Sequence, residues 1–232
     1  MTILYFYGND PARDQDYHSL VIHGLDTSLP NPIPMLKDVY RFKGRNYLEF
    51  FSWMFTKVFK KMPVCKFYTD ATRDPTFAEL ITNKLGSHTV NSFKFTQDSK
   101  LKLKLTTRQY LTQGYKFPDV DRLLRENRIT ADKAFLIREI KGEALREQMK
   151  PTSGDRVSFD HGGAHNDLLH GFELSLQGVM DYQKHGFGKH GSKVISAGEL
   201  TGNAYGEEDI ARRFQDRFSK YSNNVKVKVS FD

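Results

Sequence analysis

The sequence predicts one mixed α/β sheet flanked by helices. Three observations carry this reading. Short β-branched and aromatic runs bounded by turn residues recur over the first 95 or so positions. Between them, apolar residues fall at helical spacing. Two longer amphipathic stretches follow, with no internal repeat and no linker-like segment to divide the chain.

Taken in order, Thr2 to Gly8 is an apolar, aromatic strand that stops at the turn cluster Asn9, Asp10 and Pro11. Tyr17 to Leu25 is a second strand and completes a hairpin with the first. After a loop containing Pro30, Pro32 and Pro34, Met35 to Phe42 reads as a third strand. Tyr47 to Lys61 carries Leu48, Phe51, Phe55, Val58 and Phe59 at helical spacing and must end before Pro63. Val64 to Thr69 is the fourth strand. Asp74-Pro75 opens a helix that closes on Gly86, with Phe77, Leu80, Ile81 and Leu85 inward. His88 to Phe95 is a fifth strand. From Leu101 to Leu105 leucine alternates with lysine, a strand period. The segment nonetheless follows Asp98-Ser99, a helix cap, and runs to Gly114, so helix is the reading preferred. Ala131 to Lys150 is helical with Phe135, Leu136, Ile140, Ala144 and Leu145 as its apolar face. Ala164 to Met180 is helical with Leu169, Phe172, Leu176 and Val179. The stretch 184–193 reads as a basic Gly/His/Lys loop, and a helix (Ile210, Phe214, Phe218) and a strand (Val225 to Phe231) close the chain. The expected division is a domain over 1–183, with 184–232 packed on it.

Composition narrows the function classes. The chain has 232 residues, mean hydropathy −0.58, and its most apolar run, Phe50 to Phe59, is broken by Ser52, Thr56 and Lys57. A membrane span is not expected, nor is secretion, since no basic-then-apolar leader opens the chain. A single cysteine, Cys65, excludes an internal disulfide framework and a cysteine-rich zinc site. Thirty-five Lys+Arg against 28 Asp+Glu give a formal charge of +7. Such a balance suits a polyanionic partner and equally suits a solvated lysine-rich surface.

Three carboxylates stand where the sheet would gather them. Asp10 ends the first strand, Asp70 ends the fourth, and Asp167 lies in the first turn of the helix after Gly163. If strands one and four are neighbours, two acids sit side by side at strand C-termini, where ligand sites form. Converging carboxylates need a cation, and an all-oxygen donor set selects Mg²⁺ or Mn²⁺. Two such ions can drive in-line cleavage of a phosphodiester. Each acid also has a plain structural reading: Asp10-Pro11 starts a turn, Asp70 caps a loop, and Asp167 suits a helix N-terminus.

Several stretches together resemble the nuclease domain of large terminase subunits, the DNA-packaging enzymes of tailed viruses. Gly8 to Gly24 (GNDPARDQDYHSLVIHG) is similar to the domain's opening, where an Asp ends the first strand and an Asp-Tyr pair opens the second. Met35 to Phe55 matches the next strand and helix in character, and Val64 to Leu85 resembles the strand bearing the second acid. His165-Asn166-Asp167 resembles the third motif, with Asn166 departing from the commoner acid. The resemblance spans about residues 3 to 180. It implies an RNase H-like fold, a mixed central sheet flanked by helices, and a two-metal nuclease cutting concatemeric double-stranded DNA. It also implies Asp10, Asp70 and Asp167 as ligands of two Mg²⁺ or Mn²⁺ ions, with Asp16 as an accessory ligand and His165 as a phosphate or orienting contact. Arg73 stands where the family often has glycine; it either approaches the phosphate or pairs with Asp74.

No G-x-x-x-x-G-K-[ST] motif occurs, so the ATPase motor expected beside such a nuclease is not in this chain. The chain then reads as an excised domain or a separately encoded nuclease. The partners implied are duplex DNA, a motor domain or subunit, a portal and a small terminase subunit, acting in the host cytoplasm. Lys100, Lys102, Lys104, Lys94 and Arg108 form a basic run that is either a DNA track or a solvated helix face. Lys184, Lys189 and Lys193 are the better-placed phosphate contacts, and His185 and His190 lie among them. The alternatives are another RNase H-like nuclease, such as a Holliday junction resolvase or recombinase, and a catalytically inert DNA-binding packaging module.

Overall fold

A computed structural model describes residues 3–11, 17–43, 47–72, 75–149 and 167–185. Its strands are β1 (Ile3–Asp10), β2 (Tyr17–Asp26), β3 (Met35–Lys43), β4 (Val64–Asp70) and β5 (Val90–Phe93). Its helices are α1 (Tyr47–Trp53), α2 (Thr76–Leu85), α3 (Gln97–Thr112), α4 (Val120–Arg125), α5 (Ala131–Met149) and α6 (Asp167–His185). One sheet forms in the order β3-β2-β1-β4-β5. The hairpin strands β1, β2 and β3 are antiparallel, whereas β4 and β5 join parallel to β1.

Strand periodicity sorts the side chains. Leu4, Phe6, Gly8 and Asp10 alternate with Tyr5, Tyr7 and Asn9 along β1, so the two sets leave opposite faces of the sheet. On the first face, Leu4, Phe6, Val21 and Leu25 share a core with Phe172, Leu176, Val179 and Met180 of α6. Two glycines allow α6 to lie directly on the backbone of β1. A Cβ at Gly8 would sit 1.9 Å from the Gly171 carbonyl oxygen, and one at Gly171 would sit 3.0 Å from Ser19 Oγ. No other residue fits at Gly8 without moving the helix.

The second face is aromatic. Tyr7 meets Phe59 edge-on at 5.2 Å between centroids and stacks on Phe67 at 5.9 Å, and Phe50 packs on Phe77 at 5.6 Å. Polar groups in the sheet are satisfied. Asn9 Nδ2 donates to the Ser19 carbonyl at 2.6 Å, and Thr69 Oγ1 donates to Asn9 Oδ1 at 3.0 Å. Buried His23 bonds Ser175 Oγ at 2.7 Å and Tyr115 OH at 2.9 Å; burial lowers its pKa to about 3, so it stays neutral. Cys65 is buried and its thiol is free.

Several expectations are corrected. The first helix does not run as an α-helix to Lys61; it passes into a π-helical turn over Met54–Val58, and the chain then turns ahead of Pro63. The fifth strand contracts to four residues. The Leu/Lys segment is helical, but its cap is Thr96. The Thr96 hydroxyl accepts from Ser99 N–H and the Ser99 hydroxyl accepts from Thr96 N–H, so the cap stands two residues ahead of Asp98 and Ser99 closes the box. Helix α4, capped by Asp119, is unanticipated because six residues carry too little periodicity.

The buried stripe of α5 is Ala134, Ile137, Ile140 and Ala144, whereas Phe135 is 60% and Leu145 44% exposed. Spacing of three, three and four residues through two alanines seats the helix more closely than the bulkier neighbouring set would. Lys184 and His185 belong to the last turn of α6 rather than to a loop. The expected polar loop over 151–163, the closing helix and strand, and the domain boundary after 183 lie outside the described residues, apart from Lys184 and His185. No helix among the described residues is long and apolar enough to cross a membrane.

Candidate active site

Strand pairing brings two acids together. Asn9 of β1 lies beside Thr69 of β4 in parallel register, so Asp10 and Asp70 follow as neighbours at the C-terminal ends of the two strands. Alternation points both toward the face covered by α6. Across the hairpin, Ser19 stands opposite Asp10. Its hydroxyl donates to the Asp167 carbonyl at 2.6 Å and so ties the first residue of α6 over the same spot.

The Gly8–Gly171 contact then sets what the next turn of α6 presents. His170 Nδ1 lies 3.0 Å from Asp10 Oδ2. The Phe95 ring packs on the His170 imidazole at 4.8 Å. Asp70 Oδ1 accepts from Thr72 N–H at 2.7 Å and from the Thr72 hydroxyl, which in turn accepts from Phe95 N–H at 2.7 Å. One loop residue therefore fixes the second acid and the ring that packs on the histidine.

The local electrostatics are strained in a consistent direction. Burial pushes the Asp70 pKa up, opposed by the Thr72 hydroxyl and reinforced by the Asp10 carboxylate. Burial alone would lower the His170 pKa. The hydrogen bond and charge of Asp10, with Glu173 behind, outweigh it and raise the pKa. Glu173, 5% exposed one turn beyond His170, is pushed up to about 7 by burial, against the pull of His170, Lys104 and Lys100. Glu143 of α5 is also raised to about 7, by burial and by Glu139.

Of the residues singled out from sequence, Asp10 and Asp70 are brought side by side, and the half-buried Asp167 is tied next to them through its main chain. Among the described residues, no group of three or more His, Cys, Asp and Glu side chains is arranged to hold a metal ion. Asp16, Arg73, His165, Lys189 and Lys193 lie outside the described residues, as do Asn166 and His190. Lys184 is exposed at the far end of α6, roughly 25 Å from Asp167 at about 1.5 Å per residue. Lys100 and Lys104 are not a fully solvated face. They are half-buried, their charges fall on Glu173, and Lys100 Nζ sits 5.6 Å from the Phe95 ring centroid.

His170 and Glu173 escaped the sequence reading. The signal present was the spacing Asp167-x-x-His170-x-x-Glu173, which sets three ionisable groups along one side of a helix.

The described residues form an α/β architecture, a five-stranded mixed sheet with helices on its faces and an acid pair at the C-terminal ends of two neighbouring parallel strands. Neither a protein-family model nor a curated protein matches the chain. Among solved structures it is similar to the large terminase nuclease from thermophilic phage G20c. The identity is 15%, the match covers 75% of this chain and 82% of that chain, and the TM-score is 0.39.

Proposed function

We propose that the chain is a divalent-metal-dependent nuclease acting on double-stranded DNA. The observation that carries this reading is the juxtaposition of Asp10 and Asp70 on adjacent parallel strands, with α6 anchored over them by Ser19. Two neighbouring carboxylates, one already raised by burial and by the other's charge, are relieved by a cation between them. The oxygen donors fit a hard ion, Mg²⁺ or Mn²⁺. Asp10 and Asp70 would hold the ions, with Asp167 as the third ligand and Asp16 as an accessory. Such ions, when bound, supply stabilisation of the charge that develops on the phosphodiester oxygens.

The chain's own residues prepare the site. His170 fixes the orientation of Asp10, the Thr72 turn fixes Asp70, and the ring of Phe95 keeps solvent from one side of the imidazole. The order of motifs along the sequence supports a finer reading, cleavage of concatemeric viral DNA during genome packaging. An ATPase motor, portal and small terminase subunit would be the partners of that reaction.

Incubation of supercoiled plasmid with Mg²⁺ or Mn²⁺ tests this reading. Nicking by the natural protein and its loss in Asp10→Ala and Asp70→Ala supports it. Intact plasmid with DNA binding retained would instead favour an inert DNA-binding module.

A further inference from the structure

The row of side chains that contains the acids continues across the hairpin and changes sign. Asp10, Ser19 and Arg41 are successive cross-strand partners on β1, β2 and β3, and Tyr17 and Lys43 form the next pair toward the strand ends. Direct partners share a sheet face, so Tyr17, Arg41 and Lys43 stand on the α6 side with the acids. Arg41 Cζ lies 5.0 Å and Lys43 Nζ 5.6 Å from the centroid of the Tyr17 ring. Two cations two residues apart on one strand repel each other, and a shared aromatic ring offsets part of that cost. Arg41 is also braced from α5, its Nη1 donating to Glu139 Oε1 at 2.6 Å. Among the described residues, that bond engages one corner of a guanidinium fork that carries five N–H donors. Lys43 is exposed. Among the described residues, Glu139 is bonded to Arg41 and the Arg41 charge also falls on Glu143 of α5, whereas Lys43 projects beyond them into solvent.

We propose that Arg41 and Lys43, arranged on Tyr17, form a phosphate-binding seat for the nucleic-acid strand whose scissile bond lies at Asp10 and Asp70. The proposal rests on the nuclease reading and names where its substrate is gripped. Arg41 is two strands from Asp10, about 10 Å at roughly 4.8 Å per strand. At about 3.4 Å axial rise per nucleotide of one strand, that is two or three nucleotides from the scissile phosphate. A backbone crossing the sheet from β4 toward β3 would pass from the acid pair to the cations. The polar row thus sets a direction for the substrate: cleavage at one end, grip at the other. The contact is to phosphate and carries no base preference.

The test measures binding of a fluorescein-labelled DNA duplex to full-length Asp10→Asn protein by anisotropy, so that cleavage does not intervene. Affinity is followed from about 50 to 200 mM salt, the range over which released counterions report phosphate contacts. Adding Lys43→Gln is expected to weaken binding severalfold and to lower the slope of log K against log salt by about 1. Lys43→Arg restores the slope. Lys60→Gln, which removes an equal charge from an exposed position after the π-helical turn, leaves it unchanged. In the cleaving protein, Lys43→Gln raises KM with little change in kcat. If Lys43→Gln binds as its parent does, or no more weakly than Lys60→Gln, the seat is refuted while the nuclease reading stands. If the Asp10→Asn parent binds no DNA at all, both fall.

Discussion

The imidazole of His170 lies 3.0 Å from the carboxylate of Asp10, and it reaches there because Gly8 and Gly171 let α6 rest on the backbone of β1. The pair joins a helix residue to a strand residue 160 positions earlier in the sequence. It makes the orientation of the first acid a property of the packing between helix and sheet.

That bond leads to the first prediction. His170→Ala frees the Asp10 carboxylate to rotate, and loss of such an orienting partner typically lowers metal affinity or activity about 10- to 100-fold. The expected outcome is a drop in plasmid nicking of that size, partly recovered at higher Mn²⁺. Unchanged nicking would remove His170 from the site.

Gly8→Ala is expected to destabilise the fold. The new methyl would meet the Gly171 carbonyl at 1.9 Å, a backbone atom that can yield only if α6 lifts. A cost of about 3 kcal/mol, at the upper end of ordinary overpacking, should appear as a lower urea midpoint at unchanged m-value. Gly142, around which a Cβ meets nothing within 4 Å, provides the control. Gly142→Ala should be neutral or slightly stabilising.

Glu173 gives stability a pH dependence of defined sign. Burial raises its pKa from the ordinary 4.5 to about 7 in the fold, so the native state holds a proton that the unfolded chain releases. The native state binds more protons between those values. The stability present below about pH 4.5 is therefore lost as pH rises through about 7. At about 1.4 kcal/mol per pH unit, the loss is on the order of 3 kcal/mol. Glu173→Gln, which keeps the shape without the charge, should remove its share of that dependence, leaving the share of Glu143, and exceed the natural protein in stability at pH 8. Urea unfolding at pH 5 and pH 8 measures both. A steeper dependence in the variant would contradict the assignment.

Cys65 should be inert to thiol reagents in the native state. It is 1% exposed, and burial pushes its thiol up to about 12, so the thiolate that reacts is scarce and shielded. Labelling by a disulfide reagent is expected to track global unfolding in urea rather than to precede it.

The sheet was legible in the sequence because β1, β2 and β4 are short, strongly β-branched or aromatic, and end in turn residues. Their boundaries needed little beyond local chemistry. The neighbourhood of Asp10 and Asp70 followed from a conditional that the strand order then met. Other features depend on tertiary contacts that local patterns do not encode. On α5 the expected Ile140 and Ala144 are buried, but Phe135 and Leu145 are exposed and Ala134 and Ile137 take their place, because packing at the helix contact rewards the smaller Ala134 over the more apolar Phe135 beside it. His170 was passed over because it stands within an apolar helix, where only the position of Asp10 gives it a role. Arg41 and Lys43 read as ordinary polar residues of a strand until the register set them beside Tyr17.

In the proposed reaction Asp10 and Asp70 act together in phosphodiester cleavage, with Asp167 completing the site. The most direct measurement compares plasmid nicking in Mg²⁺ or Mn²⁺ by the natural protein and by Asp10→Ala, Asp70→Ala and Asp167→Ala, each confirmed folded by its urea midpoint. Nicking by the natural protein and at least a 100-fold loss in each variant are expected, on the scale of removing one charge-stabilising group. Equal nicking by all four proteins would contradict that joint role.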